Sequence, residues 1–459
     1  MISLPAVAQK LKKGDLAVIS NLRAHVSFLA DDSLEGRKAG SKGEKLAMDY
    51  ISGQFEKSGL QPRGDKGSYF QSFDINEGKS FEKNSYLVIN EEKIKPGEFF
   101  PIVASPNVTI EASPSMALKE TGVPWFLDLK DDLEASKTNP QFILMKYLGD
   151  KAKDAAKKGA TALLVFNSDD KVEAPKYDGQ EKAEPTPVPV VVVSNNIVKK
   201  YLSDETATLK IKLKVEFTDT KRTWHNVVGL VDNGAATTVI IGAHYDHLGM
   251  GEERDSMSRK KVKQVHNGAD DNASGTAALI ELSRLIKNSK LKKNNYLFIA
   301  FSGEEAGLFG SKYFVDHPTI DLANANYMLN LHMVGRLNDS AKTLIIGGYR
   351  TSPAWGGIFN SIANRYFVNK YDSSGTAPSD HISFYRKDIP VLSFFTGLNS
   401  DYHKPTDDYN KVNYTGTYRL IQYIYKLVES VNNKGRLGFS KTREDQSGSL
   451  SRFPVTPIL

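Results

Sequence analysis

Short apolar runs that alternate with helical segments constrain the fold of this chain most strongly. The runs are residues 237–242, 296–301, 326–331, 343–347 and 390–395. They are rich in β-branched and aromatic residues and read as buried strands. The segments between and after them repeat apolar residues at helical spacing, most clearly over 276–286 and 418–431. This alternation predicts a three-layer α/β/α domain around a mostly parallel, mixed sheet.

The stretch from residue 93 to 214 differs from the rest of the chain in its sequence pattern. It contains several prolines, an amphipathic helical run ending near Gly159, and apolar strand-like runs at 162–166 and 187–193. It holds no histidine and no promising cluster of carboxylates. We therefore predict a smaller, β-rich, non-catalytic domain inserted at 93–214. Residues 1–92 and 215–435 would then form the main domain, and 436–459 a C-terminal tail.

Composition excludes several classes of function. The 459 residues include no cysteine, so any metal must bind histidine, aspartate or glutamate. The net charge of +6 is mild, and the short basic runs carry no interleaved aromatics, so we expect no nucleic-acid partner. No stretch approaches the ~20 apolar residues of a membrane span, and the first residues lack the features of a signal peptide.

Histidines and acidic residues follow the ends of the predicted strands. In open α/β sheets the ligand crevice lies beyond the carboxyl ends of the strands, so these residues are expected at one edge. They fall in five clusters: HYDH at 244–247, NGADDNASG at 267–275, SGEEAG at 302–307, NLHMVG at 330–335 and DYHKPTD at 401–407.

The chemistry of the clusters favours a metal centre. A His-x-Asp pair suits an imidazole ligand oriented by a nearby carboxylate. Two adjacent glutamates at a strand end repel unless one binds a cation and the other carries a proton. Adjacent aspartates at a helix start either complement the helix dipole or bridge cations, and their spacing leaves both roles open. A Ser-His-Asp triad at 379–381 is disfavoured, because neighbouring residues point different ways and no G-x-S-x-G elbow is present.

The ordered motifs HYDHLG, NGADDNASG, SGEEAGLFGS, NLHMVGR, SDH and YHKPTDD resemble those of the co-catalytic zinc aminopeptidases, metallopeptidase family twenty-eight. The segment at 29–62 resembles the family's N-terminal part, and the insertion resembles a protease-associated domain. Together these likenesses cover nearly everything from about residue 20 to 433. It implies the zinc-exopeptidase fold, peptide substrates, and a periplasmic or secreted location.

The resemblance also implies a ligand set for two zinc ions per chain. His244 would bind one zinc and His403 the other, with Asp270 bridging both. Glu305 would complete the His403 site. A non-proline cis peptide bond is expected after the bridging aspartate, between Asp270 and Asp271.

Three further roles follow from the resemblance. Glu304 would be the general base that takes a proton from the attacking water and passes it to the leaving amine. Asp246 would orient His244. Tyr402 would donate a hydrogen bond to the oxygen of the tetrahedral intermediate.

His332 departs from the family, which usually has aspartate at this position as a ligand to the zinc of His244. Imidazole also binds zinc well, so we expect His332 to be a ligand. One negative charge is lost, so this second metal should be held more weakly. The alternative is that His332 turns away and only the site of Glu305 and His403 is filled.

These features predict a metal-dependent aminopeptidase that hydrolyses N-terminal residues from peptides. Two alternatives stay open at this point: a single-zinc enzyme similar to glutaminyl cyclases, and a non-catalytic, peptidase-like binding protein. Neither the side-chain preference nor the oligomeric state follows from the sequence.

Overall fold

The computed structural model describes residues 11–136, 142–169, 175–179, 181, 183–251, 256–258, 263–364 and 366–443. The chain divides into two compact units. The first runs up to Phe73 and resumes at Thr223, and the second is Asp74–Arg222. Beyond residue 443, the predicted C-terminal tail lies outside the described residues.

A nine-stranded mixed sheet forms the centre of the first unit. Its central strands are parallel and its edges include antiparallel pairs. Each of the five predicted apolar runs is one of its strands, which confirms the predicted α/β class. In spatial order the strands are Gln61–Pro62, Thr218–Val231, Asn295–Phe301, Thr238–His244, Ala325–Leu331, Val391–Phe395, Thr343–Gly347 and Val368–Tyr371, with Phe70–Ser80 also pairing with Thr218–Val231.

Both faces of this sheet are buried beneath helices, and successive side chains of a strand point to opposite faces. Val239 and Ile241 belong to the larger core on one face, and Ile240 belongs to the core on the other. Burying an aliphatic side chain of this size stabilises the fold by about 1.5–3 kcal/mol. The larger core is covered by Lys13–Leu29, Lys42–Lys57, Gly275–Lys287, Trp355–Ser361 and Tyr414–Val431, and the smaller by Phe309–Asp316 and His381–Tyr385.

Local signals explain where the helices begin and end. The hydroxyl of Ser41 accepts a hydrogen bond from the backbone N–H of Glu44 at 3.2 Å and caps the helix Lys42–Lys57. Gly59 follows that helix with φ 76°, a conformation that glycine adopts without strain. Among the described residues, no helix combines the length and apolar character needed to cross a membrane.

The second unit contains two four-stranded sheets. It begins earlier than the predicted boundary at residue 93, because Tyr86–Ile89 pairs antiparallel with Ile211–Val215 and so belongs to this unit. Its resemblance to a protease-associated domain stays a prediction. One sheet has the order Glu92–Lys93, Tyr86–Ile89, Ile211–Val215, Val108–Ala112, and the other Phe99–Pro101, Val190–Val193, Leu163–Phe166, Trp125–Asp128. Its helices are Lys130–Ser136, Leu144–Lys157 and Asn195–Tyr201.

Candidate metal centre

The predicted histidines His244 and His332 lie at one edge of the sheet, at the ends of parallel strands. The strand Thr238–His244 ends at His244, which lies beside Phe301 at the end of the neighbouring strand. His332 directly follows the strand Ala325–Leu331, on the other side of Thr238–His244. The carboxyl ends of these strands therefore meet at one edge, as expected for an α/β ligand site.

One carboxylate, that of Asp271, lies between three imidazoles. Its Oδ1 is 3.3 Å from Nε2 of His244 and 3.5 Å from Nε2 of His332. Its Oδ2 is 3.2 Å from Nε2 of His403, which is also 3.2 Å from Oε2 of Glu305. Two groups of possible metal ligands therefore share the Asp271 carboxylate. One group lies at its Oδ1 and the other at its Oδ2. His332 does not turn away.

Asp270, predicted to be the bridge, does not occupy that position. Its Oδ1 accepts a hydrogen bond from the backbone N–H of Gly335 at 2.7 Å, and its Oδ2 accepts one from Asn399 at 2.9 Å. The prediction was wrong by one residue because the turn Ala269–Ser274 departs from helical geometry at Asp271, with φ −106° and ψ 92°. The cis peptide bond correspondingly joins Asp271 to Asn272, and not Asp270 to Asp271.

The donor set fits zinc. Two ligand atoms bound tetrahedrally at 2.0–2.1 Å from one zinc ion lie about 3.3 Å apart, which is the spacing seen around Asp271. Three imidazoles and two carboxylates without thiolates are ordinary zinc ligands. Nε2 of His244 and Oδ1 of Asp271 are buried, and neither makes a hydrogen bond of good geometry to any described residue. Such buried lone pairs are costly unless a cation takes them up.

Electrostatics within this group are strongly attractive. Burial works against the charged forms, but Asp271 and Glu305 raise the pKa of the His403 imidazole to about 11. The neighbouring imidazoles of His244, His332 and His403 hold the pKa of Asp271 well below its usual range, although burial alone would raise it. Likewise His247 and His403 lower the pKa of Glu305 to about 2 against burial and the charge of Asp271. A site that holds protons this firmly also attracts dications, which compete with those protons.

Two residues outside the predicted ligand set support the site. Nδ1 of His247 lies 2.6 Å from Oε1 of Glu305 and fixes that carboxylate, and His247, Asp271 and Glu305 together could also hold a cation. Oδ2 of Asp407 accepts hydrogen bonds from the backbone N–H groups of Asp270 and Asp271 at 2.9 and 3.1 Å. Both residues stand in the sequence clusters, but the chain is irregular there, so no periodicity indicates where their side chains point.

Asp246 holds the loop of the two glutamates as well as His244. Its carboxylate accepts hydrogen bonds from the backbone N–H groups of Glu304 at 3.2 Å and Glu305 at 3.3 Å. Nδ1 of His244 lies 3.2 Å from the backbone oxygen of Asp246 and 3.6 Å from its carboxylate. Burial raises the pKa of the Glu304 carboxyl well above its usual range, partly offset by His244.

A pocket opens beside His332. Its walls include the apolar side chains of Met333, Ile345, Phe395 and Leu398. Tyr402 also lines it and stacks on His403 with ring centroids 3.8 Å apart. The pocket would receive an apolar group held next to the metal centre.

The fold and the sequence agree with those of known peptidases. The chain resembles BSAP, a zinc aminopeptidase from Bacillus subtilis, with a TM-score of 0.50 and 20% identity over 90% of this chain and 95% of that one. This likeness shows the shared α/β fold. Residues 226–428 match the model of peptidase family M28. The fold and the matched residues together define an α/β peptidase. These residues therefore carry a peptidase M28 domain, and the match confirms the family predicted from the motifs for this part of the chain.

Curated relatives carry peptidase names. Aminopeptidase YwaD of Bacillus subtilis (strain 168) is 26% identical over 272 residues, which cover 56% of this chain and 54% of that protein. Leupeptin-inactivating enzyme 1 of Streptomyces exfoliatus is 27% identical over 221 residues, covering 47% of this chain and 45% of that protein. The chain therefore spans about half the length of the curated relatives it matches.

Proposed function

We propose that this protein is a zinc-dependent aminopeptidase that removes N-terminal residues from peptides. The observation that carries the proposal is the Asp271 carboxylate, with two imidazoles on one oxygen and a third imidazole on the other. The peptidase M28 domain and the aminopeptidase names of its relatives support the same reaction.

Two groups of side chains would hold the metals. His244, Asp271 and His332 form one group, and Asp271, Glu305 and His403 form the other. With zinc bound, the pair would polarise the scissile carbonyl and lower the pKa of a water molecule toward neutrality. Two carboxylate charges against four positive charges leave an excess of +2, which favours binding of an anionic nucleophile.

Glu304 would carry the proton. Asp246 fixes its backbone, and its half-buried side chain interacts with the charges of His244 and Asp271. From there it can accept a proton from the attacking water and deliver it to the leaving amine. Tyr402, which stacks on His403, would donate a hydrogen bond to the oxygen that becomes negative during attack.

The apolar pocket beside His332 would bind the side chain of the N-terminal residue. For the second unit, Asp74–Arg222, we propose a role in admitting longer peptides, as in a protease-associated domain. A location in the periplasm or outside the cell stays a prediction from the family resemblance.

Metal analysis combined with a panel of aminoacyl nitroanilides tests the proposal. We expect about two zinc ions per chain, release of nitroaniline, and loss of activity on chelation that zinc restores. One zinc per chain with formation of pyroglutamate would instead support a glutaminyl cyclase. A protein without bound metal or turnover would support the binding-protein alternative.

A further inference from the structure

Arg37 is a buried cation that the proposed reaction does not use. It ends the short segment Asp32–Arg37, and its side chain is almost fully enclosed, with a relative exposure of 1%. Residues 35–37 all have positive φ, so the segment turns sharply before the helix Lys42–Lys57. A guanidinium is seldom buried to this extent unless its donors are satisfied.

The donors of Arg37 are satisfied by backbone carbonyls of loops that lead to the metal centre. Nε donates to the oxygen of Tyr245 at 2.8 Å, and Tyr245 stands between His244 and Asp246. The two terminal nitrogens donate to the oxygens of Asn267 at 2.7 Å and Gly268 at 3.1 Å. One of them also donates to Leu29. A single planar group therefore joins the loop of His244 to the loop that precedes Asp271.

Backbone contacts reinforce this junction. The N–H of His247 donates to the oxygen of Arg37 at 3.2 Å, and the N–H of Gly249 donates to the oxygen of Gly36 at 3.1 Å. A Cβ at Gly36 would lie 2.3 Å from the oxygen of Gly249 and 2.6 Å from that of His266, so only glycine permits this approach. The segment and the loops are thus packed at backbone distance.

The positive charge of the guanidinium also interacts with the carboxylates of the site. Burial lowers the pKa of Arg37 to about 10, and the charges of Asp246 and Asp271 oppose that shift, so the group stays protonated at neutral pH. Among the described residues, no carboxylate forms a direct ion pair with it. Its contact with the site is therefore made through the backbone of the two loops.

We propose that Arg37 is a positioning residue that sets the separation of His244 from Asp271 and thereby determines the affinity of the metal that these two residues share. The inference rests on the proposed function, because it assumes that His244 and Asp271 are ligands. Metal affinity is sensitive to such outer contacts, which orient the ligands without touching the ion.

Arginine is suited to this role in a way that lysine is not. Its fork presents five N–H donors in one plane and reaches carbonyls on several segments at once. Lysine offers three donors from a single point and would leave part of the buried carbonyl set unpaired. Arg37→Lys therefore removes the planar set of donors but keeps the positive charge. Arg37→Met removes the donors and the charge together.

Two measurements test the proposal. Chelator competition gives the zinc affinity, and thermal unfolding gives the melting temperature of the metal-free protein. Ile424→Ala, in the helix Tyr414–Val431 and outside the two loops that Arg37 joins, is the control for lost core packing. We expect Arg37→Met to weaken the metal at His244, Asp271 and His332 by roughly 10–100-fold, with a smaller loss in Arg37→Lys. Ile424→Ala should melt earlier and bind zinc as the wild type does.

Unchanged zinc affinity in Arg37→Met would overturn the proposal, as would equal weakening in Ile424→Ala. If Arg37→Met does not fold, Arg37→Lys decides: wild-type affinity in that variant overturns the proposal. Wild-type protein that takes up no zinc contradicts the proposed function itself, and this is established before any variant is compared.

Discussion

At the scale of single residues, His332 decides how the two halves of the metal centre differ. It brings an imidazole to Oδ1 of Asp271, where the family resemblance implies a carboxylate. The group of His244, Asp271 and His332 thus carries one negative charge, and that of Asp271, Glu305 and His403 carries two. A dication is attracted less strongly to the first group, although the nitrogen ligands offset part of the difference for zinc.

Substituting His332 therefore changes one metal more than the other. We expect His332→Asp to tighten the weaker zinc, and His332→Ala to weaken it by at least ~10-fold, while the zinc at Glu305 and His403 is retained. A chelator titration with metal counting should show two release steps in the wild type. His317→Ala removes an exposed imidazole and serves as the matched control. Unaltered release from His332→Ala would show that His332 is not a ligand.

Glu304 and Glu305 are neighbours with different predicted roles. Glu304→Gln should keep the fold and both metals but lower kcat by ~10²–10⁴, because the amide cannot carry the proton. Glu305→Gln should lose the metal it shares with His403. Kinetics and zinc content of the two variants check this division. Equal loss of metal in both would contradict it.

At the scale of elements, regular structure was predictable and irregular turns were not. The strand over Thr343–Gly347 matches its predicted bounds, because its period and apolar character are set locally. Asp270 and Asp271 stand in a turn with neither helical nor strand periodicity, so the sequence indicated a carboxylate there but not which one. The role of Arg37 was equally hidden, since three of its four backbone carbonyl partners lie more than 200 residues away.

The short helix His381–Tyr385 makes a pH-dependent contribution to stability. His381 is fully buried, and burial lowers its pKa to about 3 from an unfolded value near 6.5. A depressed pKa contributes stability above pH 6.5 that is lost as pH falls toward 3, because only the unfolded chain binds the proton. Each pKa unit is worth about 1.4 kcal/mol, so the loss amounts to several kcal/mol.

Replacing His381 with glutamine should make the free energy of unfolding less steep between pH 6.5 and 3. Urea denaturation of metal-free protein measures it. Glu44 and Asp380, whose pKa values burial raises to about 7, titrate with the opposite sign, but both proteins contain them, so the difference isolates His381. Parallel pH profiles for wild type and variant would refute a buried neutral imidazole.

At the scale of the whole molecule, all the candidate ligands lie in the first unit. The second unit, Asp74–Arg222, has its own sheets and cores. Replacing residues 74–222 with a short flexible linker should therefore leave zinc content and the hydrolysis of aminoacyl nitroanilides largely intact. We expect turnover of long peptides to change more than turnover of dipeptides. Zinc lost from such a variant, if it still folds, would argue that the unit helps to build the site.

We propose that one carboxylate, that of Asp271, joins two metal ions. Anomalous diffraction at the zinc edge from crystals of the zinc-loaded protein tests it most directly. We predict two peaks ~3.5–4 Å apart on either side of the Asp271 carboxylate, one beside His244 and His332 and the other beside Glu305 and His403. A single peak, or a pair centred on Asp270, would contradict the account.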